Sequence, residues 1–495
     1  MLKPLGPDEY RELLAAALPE ATDADTILPN LTTLFTPDSH RAALYVDATV
    51  VRGGRGVGKT FWYHSLLDDT LREVAAEEYG IERLRRLTVW PGYGAAVEPE
   101  LYPGPGVLWQ LVEDGVRPYD LWYTVLLSTL GREELRPLVE WRDRVAWVRA
   151  NPGAAERIIH RADRQAQQDG TTHLILFDAL DRLHRVRAEA DRLVGGILEL
   201  ALAMRLGTRN IRCKVFIRPD MFDGALLRFP DASKLTANAA ALTWSRANLY
   251  GLLFHYLGNH GGEYGHHAER FRRLTGGWQP EADGRRWVPP ALLRGDERHQ
   301  EDQFTQIAGP YMGANYRKGN TYTWLPNHLM DGVEQVSPRS FLSALNRAVA
   351  ETRGSYAGHR YPLHHEGIRR GVQTASTTRV KEIGEDMPWV QRAAAPLAGR
   401  QVPIEQATVV ELWREAGLSE ALRREAETFR DASGNADSED IRTGPRHPDD
   451  PELLIEELIT LGVMRRRRDG RIDLPDVYRI AFNIGRKGGV PRVAG

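Results

Sequence analysis

Residues Gly53-Gly54-Arg55-Gly56-Val57-Gly58-Lys59-Thr60 complete the pattern G-x-x-x-x-G-K-[ST], and no other stretch narrows the fold so far. That pattern works only between a strand and a helix. Its glycines let the backbone bend until several N–H groups converge on an anion at the start of the helix. The flanks meet the demand: Ala43 to Val51 is rich in β-formers, and Phe61 to Leu67 opens a helical pattern. Lys59 stands where a point charge reaches the β- and γ-phosphates, and Thr60 where a hydroxyl reaches Mg²⁺. The eight residues therefore predict a nucleoside triphosphate site, with ATP as the default ligand because no base-reading N-K-x-D motif is present.

Composition sets outer limits. The 495 residues exceed one ordinary domain and predict two or three. A net charge of −2 excludes a molecule that binds polyanions over its whole surface, so any nucleic-acid contact needs a local basic patch. Cys213 is the only cysteine, which rules out an internal disulfide framework and suits a reducing compartment. Met1 to Tyr10 lacks the pattern of a signal peptide, and no apolar run is long enough for a membrane span. A soluble, cytoplasmic protein without membrane contact is expected.

Along the chain, residues 1–40 read as a lead-in with one helical stretch, Glu9 to Leu18. From 41 to 260, apolar strands at 43–52, 86–90, 172–178, 211–218 and 241–244 alternate with helical patterns at 119–130, 153–168 and 188–206. That alternation predicts an α/β fold, a parallel sheet with helices on both faces. Residues 261–400 read as a helical lid with irregular linkers, and a further unit begins at 401. Its polar, acidic stretch at 431–450 is expected to be a disordered insertion.

A phosphate loop needs a carboxylate from a neighbouring strand to hold Mg²⁺. The run His173-Leu174-Ile175-Leu176-Phe177-Asp178 supplies one, which makes Asp178 the candidate metal residue beside Thr60. Ala179 follows Asp178, so no general base stands beside the metal residue and hydrolysis is expected to be slow. Asp181 is the next acid, placed either to polarise water or to cap the following segment.

The loop together with Asp178-Ala179-Leu180-Asp181-Arg182 resembles the STAND and KAP-type branch of P-loop ATPases, related to AAA+ and ORC proteins. The resemblance implies roles for two arginines. Arg218, at the end of the strand Lys214 to Ile217, falls where such proteins sense the γ-phosphate. Arg339, in Ser337-Pro338-Arg339-Ser340, resembles the sensor arginine of the lid. With Lys59, Asp178 and Asp181 they complete the catalytic candidates; a strand-end salt bridge and a surface charge are the plain alternatives for Arg218 and Arg339. The segments Phe304 to Gly313 and Tyr322 to Leu329 also look like blocks found in standalone bacterial ATPases of this type. Relatives of that group imply self-association, a separately encoded protein partner and, in some cases, antiphage defence. No repeat array follows the ATPase region, so sensing is expected to fall to a partner.

At the C-terminal end, a mainly apolar helix through Leu453 to Leu461 leads into Val463 to Arg468. Asp469-Gly470 then signals a tight hairpin, returning through Arg471 to Leu474. This order suits a C-terminal winged helix of the kind many ORC-like ATPases carry. Nine basic residues against three acids lie between 463 and 492. Arg465, Arg466, Arg467, Arg468 and Arg471 are thus candidates for nucleic-acid contact, with protein docking and a solvated edge as alternatives. The histidines at 255, 260, 266, 267, 364 and 365 lack the spacing of a zinc motif. The reading is an ATP- and Mg²⁺-dependent, slowly hydrolysing switch or assembly factor. An ORC-like ATPase stimulated by DNA, and a non-catalytic ATP-liganded DNA-binding regulator, stay open beside it.

Overall fold

The computed structural model describes residues 3–19, 28–184, 186–226, 231–281, 284–431 and 444–487. Most of the 431–450 stretch expected to be an insertion lies outside them.

Five strands form one parallel sheet: β1 (Val50–Arg52), β2 (Leu87–Tyr93), β3 (Thr172–Phe177), β4 (Ile211–Ile217) and β5 (Ala239–Ala241), in the order β2-β3-β4-β1-β5. Successive side chains of a strand point to opposite faces, and both faces here are apolar. Ile175 and Phe177 pack with Val215 and Ile217 against the helices Pro118–Leu130, Pro152–Asp169 and Arg187–Gly207. Leu174, Leu176 and Phe216 face the other way, toward Lys59–Leu67 and Asp69–Tyr79. Helices therefore cover both faces, as the sequence pattern predicts.

Strand order matters for the site. β4 lies between β1 and β3, with Val215 opposite Val50 on one side and Phe177 on the other. The loop after β1 and the acid after β3 are consequently separated by the end of β4, where Arg218 follows. Ligand sites of open parallel sheets gather at this carboxyl edge.

β1 is shorter than the predicted strand at 43–52. Ala43 and Leu44 close a short helix, Arg41–Leu44, and the chain then turns. Lys214, fully buried in β4, fixes that turn: its Nζ donates to the carbonyls of Ala43, Tyr45 and Ala48 at 2.7–3.0 Å. β5 likewise ends at Ala241, ahead of the predicted 241–244.

The N-terminal helix Pro7–Ala17 packs into the lid. Leu13 and Leu14 share a core with Leu253, Phe341 and Leu345, and the buried Arg11 donates to the carbonyls of Ala357, His359, Tyr361 and Pro362. Tyr250, buried in the same core, stacks on Tyr322. The lid proper is an antiparallel pair of long helices, Pro338–Ser355 and His365–Asp386. Small residues allow their close approach: a Cβ at Gly371 would lie 2.1 Å from the Ala344 carbonyl oxygen.

The C-terminal unit has its own core of Trp389, Trp413, Leu454, Ile472 and Tyr478. Helices Gln406–Glu415, Leu418–Asp431 and Pro451–Thr460 surround it, followed by a hairpin pairing Arg465 with Asp473 and Arg466 with Ile472. The turn is tight: Gly470 takes φ 83° and its N–H donates to the Arg467 carbonyl. The closing helix, Asp476–Arg479, is a single turn. Among the described residues, no helix is long and apolar enough to cross a membrane.

Candidate nucleotide site

The loop leaves β1 at Gly53 and enters the helix Lys59–Leu67. Gly56 and Gly58 adopt φ 74° and 105°, conformations that residues with a Cβ rarely take, so the backbone favours glycine at the second fixed glycine of the pattern and at one of its variable positions. At Gly56 space is also closed, since a Cβ would lie 2.5 Å from Ser337 Oγ.

Five consecutive loop carbonyls are engaged by side chains. Lys59 Nζ donates to Gly53 O at 3.0 Å and Gly54 O at 2.8 Å. Arg379 Nη1 donates to Arg55 O at 3.0 Å, Ser337 Oγ to Gly56 O at 3.1 Å, and Trp244 Nε1 to Val57 O at 2.8 Å. Acceptors repel phosphate, so a loop meant for an anion gains by committing its carbonyls elsewhere. Burial lowers the Lys59 ammonium to about 8, against the opposing pull of Asp178 and Asp181.

Thr60 and Asp178, 118 residues apart, meet here: Thr60 Oγ1 donates to Asp178 Oδ2 at 2.7 Å. Asp178 is buried, and desolvation raises its carboxyl although Thr60, Lys59 and the Ala179 amide all favour the charged form. A hydroxyl and a carboxylate side by side are hard oxygen donors of the kind Mg²⁺ takes. Ala179 adopts φ 55°, a left-handed conformation costly for a residue with a Cβ, so the chain turns sharply as soon as it has delivered Asp178. Asp181 follows in a short turn, Leu180–Arg182, half-buried; its charge acts on Lys59, Asp178 and Arg218.

Arg218 reaches the same edge, but its guanidinium is engaged. It grips Asp220 through Nε–Oδ1 at 3.1 Å and Nη2–Oδ2 at 2.9 Å, and Nη1 lies 3.8 Å from Asp386. Asp220 also accepts from Arg187 at 3.1 Å, and these cations hold its carboxyl far below the usual range despite burial. Arg446, from the C-terminal unit, donates to the Asp220 carbonyl and lies 3.4 Å from Asp191. The strand-end residue is therefore joined to the C-terminal unit through Asp220, whose carboxylate pairs with Arg218 and whose backbone carbonyl accepts from Arg446.

Arg339 bonds Glu382 at 3.0 Å, within the lid pair. The lid arginine that touches the loop is Arg379, which the sequence reading missed. It also donates to Tyr478 Oη at 3.2 Å and pairs with Glu382 at 3.5 Å. One signal could have found it: Gly371, Val372, Ala375, Ser376, Arg379 and Ile383 form the buried stripe of the His365–Asp386 helix, and a cation on such a stripe needs a partner. Ser337 and Asp386, which also meet the loop, were missed as well; Asp386 ion-pairs with Arg55.

At the hairpin most arginines are occupied. Arg467 pairs with the buried Asp473 at 2.9 Å, Arg465 lies 3.8 Å from it, and Arg486 bonds both Asp473 and Asp476 at 3.1 Å. Arg466 binds Gln406 and Glu456, and Arg471 binds Asp469 at 2.6 Å. Arg468 is exposed at the turn, with no ion pair among the described residues.

No family model matches the chain, and no curated protein matches it. Among solved structures it aligns with the Aeropyrum pernix ORC2 protein in ADPNP–ADP complexes, at 13% identity over 88% of this chain and 85% of that one, with a TM-score of 0.35. A likeness that slight carries no argument for function.

Proposed function

We propose that the chain binds ATP with Mg²⁺ and hydrolyses it slowly, as a switch whose lid and C-terminal unit follow the nucleotide. The observation that carries this reading is the 2.7 Å bond from Thr60 to Asp178 at the mouth of a loop built on Gly53–Thr60. Those oxygens would hold Mg²⁺, which would neutralise charge on the β- and γ-phosphates. Lys59 would swing from the Gly53 and Gly54 carbonyls onto phosphate, and Asp181 would orient water. Arg218 and Arg339 would sense the terminal phosphate only after leaving Asp220 and Glu382. Slow turnover fits that arrangement, since no base stands directly after Asp178.

Coupling to the rest of the molecule has a route. Arg379 joins the loop to Tyr478, and Asp220 joins Arg218 to Arg446. The order of helices and hairpin from Gln406 to Arg479 supports a winged helix for the C-terminal unit. Self-association, a separate protein partner and an antiphage role rest on the STAND-type resemblance alone, and a cytoplasmic location rests on composition, with Cys213 as the only cysteine.

A DNA-stimulated, ORC-like ATPase is the second reading. Arg468 favours it, as the hairpin cation left to meet a phosphate. Steady-state hydrolysis with and without duplex DNA, using Lys59→Ala as control, separates the two. Slow turnover indifferent to DNA but lost in the variant supports the switch; strong stimulation supports the remodelling enzyme. ATP binding with no turnover would leave only a non-catalytic, ATP-liganded regulator.

A further inference from the structure

Asp386 is the last residue of the His365–Asp386 lid helix, yet its carboxylate lies among the cations of the nucleotide site. It ion-pairs with Arg55, a residue of the phosphate loop itself, and lies 3.8 Å from Arg218 Nη1 at the end of β4. Asp386 is the only acid with which Arg55 pairs among the described residues. Two guanidiniums from separate elements thus share one anion supplied by the lid. That is the charge pattern a terminal phosphate would meet, because guanidiniums suit carboxylate and phosphate oxygens alike.

The anion is held at a cost. Burial pushes the Asp386 carboxyl up, and the Asp181 charge adds to that, against the pull of Arg55 and Arg218. Its helix is also tied to the loop two turns earlier, where Arg379 donates to the Arg55 carbonyl. Met387 follows at once, with its sulfur 3.7 Å from Arg218 Nη2, and joins Ile383, Trp389 and Val390 in the C-terminal core. A shift of Asp386 would therefore reach that core within a residue.

We propose that Asp386 is an internal surrogate for the terminal phosphate of a nucleoside triphosphate. It occupies Arg55 and faces Arg218 while the lid is closed, and a triphosphate must displace it to bind. This inference rests on the nucleotide reading above. A diphosphate has no group to compete for these arginines, so it leaves the Asp386 contact in place. Asp386 is then a positioning residue that lets the lid distinguish triphosphate from diphosphate.

The test is equilibrium binding of Mg-ATP and Mg-ADP to the full chain, wild type against Asp386→Asn and Asp386→Glu, with thermal midpoints read in parallel. Removing the competing charge should tighten ATP about tenfold while ADP shifts less than about twofold. Asp386→Glu, which restores the charge, should stay near wild type. Equal tightening of both nucleotides, or weaker ATP binding in Asp386→Asn, would overturn the proposal. If Asp386→Asn does not fold, Asp386→Ser is read by the same criterion. Absence of ATP binding in wild type and variant alike would instead remove the nucleotide reading, and this one with it; normal ATP binding with no ATP–ADP split removes only this one.

Discussion

At the Arg465–Arg471 hairpin most guanidiniums are answered inside the unit, where Asp473 alone draws on Arg465, Arg467 and Arg486. Around the phosphate loop the cations are answered provisionally. Lys59 ends on two backbone carbonyls, and Arg55 on an acid borrowed from a helix more than three hundred residues downstream. Buried pairs satisfied by short-range neighbours hold a fold in place. Cations that rest on carbonyls and a lent carboxylate are free to exchange partners, which is what binding an anion demands. A count of basic residues along the chain cannot separate these cases.

The contrast breaks most visibly at its structural end. Asp473→Ala would leave Arg465 and Arg467 without their buried acid and Arg486 with Asp476 alone, and should cost about 3–5 kcal/mol of stability by denaturant titration. A loss under about 1 kcal/mol would show that the hairpin arginines are not held by this acid after all. At the other end, Lys59→Ala should leave the melting midpoint nearly unchanged and weaken ATP binding by about 2–3 kcal/mol, roughly 30- to 150-fold.

The pH profile sharpens the same point. Burial lowers free Lys59 to about 8, and a bound phosphate would raise it again. Below pH 8 the ammonium is already present and affinity should be flat. Above it, binding must take up a proton, so affinity should fall by about tenfold per pH unit. Lys59→Arg should remove that bend, because a guanidinium stays charged throughout.

Smaller effects follow. Ser337→Ala removes the donor to the Gly56 carbonyl and should weaken ATP binding by about 1 kcal/mol, with no change in the hairpin's stability. Arg468→Ser should shift the melting midpoint negligibly. If DNA binds at the turn, the substitution should lower the salt slope of binding by about one; an unchanged slope assigns Arg468 to the solvated surface.

Where local chemistry sets the answer, the sequence carried it. The loop glycines, Lys59, Thr60 and the strand ending at Asp178 belong to patterns readable within a few residues, and the structure brings Thr60 and Asp178 together. Three strands and the flanking helices were likewise legible from periodicity. Ala43 and Leu44 misled because an apolar pair looks alike in a strand and in a short helix; the Lys214 contacts that decide it come from a strand far along the chain. Ser337, Arg379 and Asp386 were missed for a related reason. Each meets the loop only because the lid folds back over it; the buried stripe around Arg379 shows that this cation needs a partner, but not that the partner is the Arg55 carbonyl. The hairpin is the opposite case: its charge was plain in the sequence, but the burial of Asp473 and Asp476, which engage most of it, was not.

Isothermal titration of Mg-ATP into the full chain, repeated with Lys59→Ala and with Asp178→Asn, tests the nucleotide site most directly. One saturable site in the wild type, weakened about 30- to 150-fold in Lys59→Ala and stripped of its Mg²⁺ dependence in Asp178→Asn, is the expected result. Undiminished binding in Lys59→Ala, or no binding by the wild type, would contradict a nucleotide site built on Gly53–Thr60.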